Sequence, residues 1–245
     1  MKKIAIYCVC FHSDEALGEY LFSIEASRQK EDCLVDVFVR NNDSENLGYF
    51  GGIERLMSEH SPSGYDYVIV SNVDIKLSTS FFHDLLSEKE ENGIGWIAPQ
   101  IASSYEHCDK NPKNLRRYSK RSLLIMRFLF RHPWVHSLYH HTLHKLKNHT
   151  RLYRKEIYAG HGSFVILTAE YINRCGIIHY PPFLYCEEIY LAEQCRKHKL
   201  KVEYLPTIMV YDTEHIATGK LPRKLRCRYN EQAINYILKE FYTGI

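Results

Sequence analysis

Two asparagines and several acids stand where apolar runs end, and they are the residues best equipped for chemistry. In VIVSNVDIKLS, residues 68–78, the apolar stretch Val68–Val70 passes into Asn72 and Asp74. A strand-end aspartate can bind Mg2+ or Mn2+, hard cations that take oxygen ligands and leave positions open for substrate phosphates. Asn72 would share the same side of an extended segment, where its amide could meet a sugar hydroxyl, a phosphate or a metal-bound water. The plainer alternative is a loop aspartate capping the next helix, although Ser78, Thr79 and Ser80 stand closer to SFFHDLL for that task.

A second acid pair, Glu187 and Glu188, opens the stretch EEIYLAEQCRKH after PPFLYC. There the carboxylates either complement a helix dipole or place a proton acceptor at a cleft edge. His215 follows the apolar run LPTIMVY and is either structural or a nitrogen ligand to the same cation. Asn41, Asn42 and Asp43 end LVDVFVRNND. Gly48, Gly51 and Gly52 in NLGYFGGIERL permit a tight helix start or close ligand approach, without forming the dinucleotide fingerprint. AGHGSFVI, with Gly160, Gly162 and Ser163, reads by itself as a strand preceded by flexible backbone.

Alternating elements must hold these residues. IAIYCVCF, LVDVFVRNND and DYVIVSNVD read as strands, and EALGEYLFSIEAS has the three-and-four spacing of an amphipathic helix. SFFHDLLSEKEE, GIGWIAPQI, EIYAGHGSFVIL, EEIYLAEQCRKH and KVEYLPTIMVY continue the alternation, and a helix is expected over Asn230–Phe241. The pattern predicts an α/β fold with a mixed, mostly parallel sheet covered on both faces, whose ligands collect beyond the carboxyl ends of the strands.

At 245 residues and 45% apolar content the chain suits one domain, residues 1–245, and would cramp two. Residues 103–155 form an insert with 13 Lys or Arg against 2 acids, whereas the remainder has 19 against 27. A basic partner surface is therefore local. Within it, SKRSLLIMRFLF and WVHSLYHHTLHKL are helical candidates whose mixture of arginine, lysine and large apolar residues, over 116–139, suits an anionic membrane surface, a structural lid or an oligomer interface. No aromatic-basic motif supports nucleic-acid binding.

The run after Lys2 and Lys3 is shorter than the roughly 17–25 residues of a membrane span and is expected to be a buried strand rather than a signal peptide. Eight cysteines without a C-x-x-C pair suggest reduced thiols and a cytoplasmic protein.

Taken in order, IAIYCVCFHSDEALGEYLFSI, VRNND, NLGYFGG, VSNVDIKL, AGHGSFVI, FLYCEEIYLAEQCRKHKLKVEYLP and EHIATGK resemble glycosyltransferase family 2 and its relatives, particularly the rhamnosyltransferase-like branch. The resemblance spans most of residues 4–102 and 157–220. It implies a GT-A-like nucleotide-sugar-binding fold and an inverting, metal-dependent glycosyltransferase of polysaccharide biosynthesis. The donor would be a nucleotide sugar and the acceptor a hydroxyl of a glycan or lipid-linked saccharide.

By that resemblance Asp74, with Asn72 beside it, holds Mn2+ or Mg2+ and the donor diphosphate. Asn41, Asn42, Asp43 and Gly48 belong to the donor site, and His215 is a second metal or diphosphate contact. Glu188 maps onto the catalytic base with Glu187 as its rival, and Gly160, Gly162 and Ser163 map onto the acceptor side. Arg40 stands where the family carries an aspartate that helps read the base. Localisation is expected to be cytoplasmic, either free or peripheral at the inner face of the cell membrane. The rival functions are nucleotidyl transfer on a related α/β fold and non-catalytic membrane or carbohydrate binding.

Overall fold

A computed structural model describes residues 1–29, 31–89, 91–132, 134, 153–213 and 221–243. The chain opens with β1 (Lys2–Cys10), α1 (Asp14–Arg28) and β2 (Cys33–Asn41). It continues through α2 (Tyr49–Glu59), β3 (Tyr67–Asn72), β4 (Ile75–Leu77), α3 (Phe81–Ser87), β5 (Ile94–Ser103) and β6 (Cys108–Asp109). The insert supplies α4 (Lys120–Arg131). After it come β7 (Lys155–Ile157), β8 (Phe164–Thr168), α5 (Ala169–Cys175), α6 (Glu187–Lys197), β9 (Lys201–Asp212) and α7 (Arg223–Phe241).

The strands form one sheet in the order β2-β1-β3-β8-β5-β9-β4, with β6 beside β5 and β7 beside β9. β2, β1, β3, β5 and β9 share one direction, and β8 runs against them between β3 and β5. The expected mixed sheet with parallel principal strands is present. Its central strands are apolar on both faces because helices cover both. Ala5, Tyr7, Val68 and Val70 face α2, α6 and α7, while Ile4, Ile6, Cys8 and Ile69 face α1 and α3.

Several boundaries differ from expectation. EIYAGHGSFVIL divides into β7 and β8, with Gly160–Ser163 in the connection. α7 begins at Arg223 rather than Asn230. Ser80 precedes α3 without capping it, because its hydroxyl bonds the Asp84 carboxylate at 2.7 Å. The second helical candidate of the insert lies outside the described residues apart from Trp134. All eight cysteines are free thiols, six of them buried. Among the described residues, no helix is long and apolar enough to cross a membrane.

Candidate active site

Register brings the strand ends to one edge. Cys10 lies opposite Asn41 in the β1–β2 pair, and Val9 lies opposite Asn72 in the β1–β3 pair. The antiparallel β8 starts at this edge with Phe164 beside Ser71, and the Asn72 N–H donates to the Ser163 carbonyl at 2.9 Å. The donor-side and acceptor-side candidates therefore share a backbone hydrogen bond.

Asp74 does not continue an extended strand, as the period-two reading expected. β3 stops at Asn72, and Val73 and Asp74 make the turn into β4. The turn is held from afar: Ile75 pairs with Asp212, and the Thr213 N–H and hydroxyl both donate to the Asp74 carbonyl, at 3.0 and 2.9 Å. Asn72, Val73 and Asp74 nevertheless line the same cavity.

Opposite them, the loop after β2 is shaped by its own polar groups. Buried Asn42 accepts from Arg40 Nε at 3.0 Å and donates to the Gly48 carbonyl at 3.0 Å. Asp43 accepts from the His12 N–H at 2.7 Å, and Asn41 accepts from the Asp43 N–H at 2.7 Å. Asn42 and Gly48 line the cavity, whereas Asn41 and Asp43 brace the loop beside it. Gly48 has φ +76°, and a Cβ there would meet the Phe183 carbonyl oxygen. Only glycine lets this loop close on the chain ahead of α6.

Val9, Phe11, Phe183, Leu184 and Leu221 complete apolar walls around about 160 Å3. Apolar walls with a few convergent polar groups are the usual make-up of a small-molecule site. The volume is below the roughly 300–1,000 Å3 of a complete ligand pocket, so a sugar nucleotide would project from the mouth.

Neither acid of the pair lines this cavity; both open α6, just after the wall residues Phe183 and Leu184. Tyr185 and Cys186 both have positive φ, 75° and 61°, immediately before α6. Such residues cost on the order of 1–3 kcal/mol each and persist only where neighbours enforce them. Here Tyr180 donates to the Tyr185 carbonyl at 2.6 Å, and the Tyr185 N–H donates to Glu187 Oε1 at 2.9 Å. Burial, with the charge of Glu188 second, pushes the Glu187 carboxyl up to about 8. Glu187 is therefore a largely protonated carboxyl at neutral pH that fastens the turn.

Glu188 is half-buried, and its Oε2 would be 3.8 Å from a Cβ at Gly162. It faces the Gly160–Ser163 connection. Tyr49, at the start of α2, joins the two halves: its ring lines the Asp74 cavity and its hydroxyl donates to the Gly162 carbonyl at 3.1 Å. Burial raises the Tyr49 hydroxyl well above the usual phenol range, with Glu187 and Asp74 among the charges that add to it.

The glycines divide. A Cβ at Gly160 would strike Ala98 Cβ at 2.7 Å and Trp96 at 2.9 Å, so the missing side chain there serves packing on β5 rather than space for a sugar, the use expected of it. Gly162 has no such close neighbour. The Ser163 hydroxyl is engaged by His161 Nδ1 at 2.8 Å, and Asn111 Oδ1 accepts the His161 N–H at 2.6 Å. Tyr49, His161 and Phe183 are site residues that the sequence does not single out, although all three stand inside the motifs NLGYFGG, AGHGSFVI and PPFLYC.

Among the described residues no three His, Cys, Asp or Glu side chains converge as a metal cage. The donor set still fits a magnesium-like or manganese-like ion. Asp74 is the acid among the described residues lining the cavity, and such ions bind through one or two carboxylates plus substrate phosphates and water. His215 lies outside the described residues.

No protein-family model matches the sequence, and no curated protein matches it. Solved structures do. A Drosophila β1,4-galactosyltransferase 7 mutant in complex with manganese, UDP-Gal and xylobiose aligns with TM-score 0.53 and 13% identity, covering 93% of this chain and 80% of that one. The chain has a GT-A-like glycosyltransferase fold. The catalytic domain of Drosophila β1,4-galactosyltransferase 7 with xylobiose gives TM-score 0.52 and 14% identity over the same shares. GalNAc-T7 with UDP, GalNAc and Mn2+ gives 0.53 and 10% identity, over 93% of this chain but 47% of that one.

Proposed function

We propose that this GT-A-like chain is a metal-dependent, inverting glycosyltransferase that moves a sugar from a nucleoside diphosphate to an acceptor hydroxyl. The observation carrying the reading is Tyr49, whose ring lines the Asp74 cavity while its hydroxyl bonds Gly162, the residue Glu188 faces. Tyr49 thereby links the Asp74 cavity to the connection that Glu188 faces. The manganese and UDP-sugar in the galactosyltransferase complex support the same donor chemistry here, and the motif order supports the family 2, rhamnosyltransferase-like resemblance within the fold.

Asp74 and the donor phosphates, with His215 as a further ligand, would hold Mn2+ or Mg2+; such an ion offsets negative charge gathering on a departing diphosphate. Asn72 offers its amide to the donor's hydroxyls and phosphates, while Asn42 holds the Gly48 loop against the donor. Glu188 takes the proton of the acceptor hydroxyl as its oxygen bonds the anomeric carbon and the bond from that carbon to the diphosphate oxygen breaks. Glu187 holds the turn that aims Glu188 and keeps its own proton at neutral pH. The acceptor hydroxyl belongs to a glycan or lipid-linked saccharide, in keeping with polysaccharide biosynthesis.

The test is ligand-induced stabilisation against a panel of nucleotide sugars with and without Mn2+, followed by turnover with saccharide acceptors. A selective, Mn2+-dependent shift is expected, and Asp74→Asn should abolish it. Glu188→Gln should keep the shift and slow transfer by roughly 10²–10⁴-fold. Stabilisation by no donor, or pyrophosphate release from a nucleoside triphosphate, would overturn the reading.

A further inference from the structure

We propose that the outer face of α4 docks on a bilayer containing anionic phospholipids. The helix KRSLLIMRFLFR has two apolar faces. Leu123 is buried, and Met126 and Phe130 pack on the core from the same side, at the three-and-four spacing that holds a helix on its domain. That face alone would anchor α4. The opposite face nonetheless carries Leu124, Ile125 and Phe128, at 37%, 59% and 55% exposure, and Trp134 just beyond is 70% exposed.

Cations frame these residues. Lys120, Arg121 and Arg131 are exposed on α4. α4 packs on α7, where Arg127 meets Asn235 and Arg131 meets Glu231 at 3.3 Å. Exposed Arg228, Lys224 and Arg223 continue from Glu231 along α7 towards Leu221, a wall residue of the cavity. The basic and apolar strip thus leads to the mouth of the candidate active site.

Large apolar side chains bordered by arginine and lysine are the make-up of a helix lying in a membrane interface, its apolar side in the acyl boundary and its cations on anionic headgroups. Twelve residues of helix rise about 18 Å, too short to cross a bilayer. Arg117, which sequence reasoning grouped with the lipid-facing cations, is excluded because both arms of its guanidinium hold buried Glu193, at 2.7 and 3.1 Å.

The docking stands without the transfer reading; its implication, an acceptor carried on a membrane lipid at the inner face of the cell membrane, rests on that reading. The experiment needs no turnover. The full chain is sedimented with vesicles of phosphatidylcholine alone or mixed with phosphatidylglycerol, at low and high salt. Binding is expected only with phosphatidylglycerol, weakening as salt rises. Lys120→Gln and Arg121→Gln together should lower it by about tenfold or more. Ile125→Ser with Phe128→Ser should weaken it at unchanged charge, and both variants should keep the wild-type melting temperature. No binding to anionic vesicles, binding by either variant equal to that of the wild type, or a self-association that Phe128→Ser abolishes would overturn the proposal.

Discussion

Glu187 and Glu188 carry the same functional group, and their surroundings separate them. Glu187 is buried and fastens a left-handed turn; Glu188 faces the Gly162 connection. A carboxyl whose folded-state affinity for protons moves from the ordinary 4.5 to about 8 binds its proton more tightly folded than unfolded. Its contribution to stability is complete below the ordinary range and is lost as pH rises through about 8. Denaturant unfolding at several pH values should show wild-type stability falling across this window by up to about 1.4 kcal/mol per pH unit. Glu187→Gln should flatten that slope, and a slope unchanged in the variant would remove this account of the turn.

At the scale of elements, the start of α2 controls the cavity. Gly48 has φ +76° and extended ψ, a combination open essentially to glycine, and it sits against the Phe183 carbonyl. Gly48→Ala should cost about 2 kcal/mol or more from backbone strain and displacement of the Phe183 loop. Gly51→Ala in the same helix meets only Leu47 Cβ at 3.4 Å and should be tolerated, gaining helix propensity. Thermal melts of the two variants test the difference, and equal melting temperatures would contradict it. Donor binding should fail in the first and survive in the second, since the Gly48 loop and Phe183 line the same cavity.

Across the whole molecule, the basic insert is tied to α6 and the chain end through one buried acid. Glu193 of α6 is fully buried; burial pushes its carboxyl up, but hydrogen bonds from Arg117, Arg196 and Tyr158 outweigh that and hold it below the usual range. Arg117 also lies 4.1 Å from the centre of the Tyr242 ring, so the knot joins the insert, α6 and the residue after α7. Removing Glu193 leaves Arg117, only partly exposed, without its carboxylate and opens a gap in the core, so Glu193→Ala should cost about 2–3 kcal/mol. Adding Arg117→Met should recover much of that loss in a double-mutant cycle. Additive losses would argue against the pairing.

Local periodicity made the principal elements legible. The apolar run at Lys2–Cys10 and the helix opening at Glu187 could be read because burial on a sheet or helix face imposes its own short repeat. The clusters around Asn42, Asp74 and Glu188 could also be found, since polar residues ending apolar runs are visible one segment at a time. Their relation was not. Asp74 was read as strand, yet it sits in a turn held by Thr213 and by β4 pairing with β9. Arg117 was read as a surface cation, yet it closes on Glu193. Tyr49 joins the two halves of the site through a bond to Gly162. Sequence alone therefore determined which elements form and which residues could do chemistry, because those follow from neighbours in the chain. The tertiary structure decided which acid is buried and which cations stay exposed at the surface, because burial and hydrogen bonding are set by proximity in space.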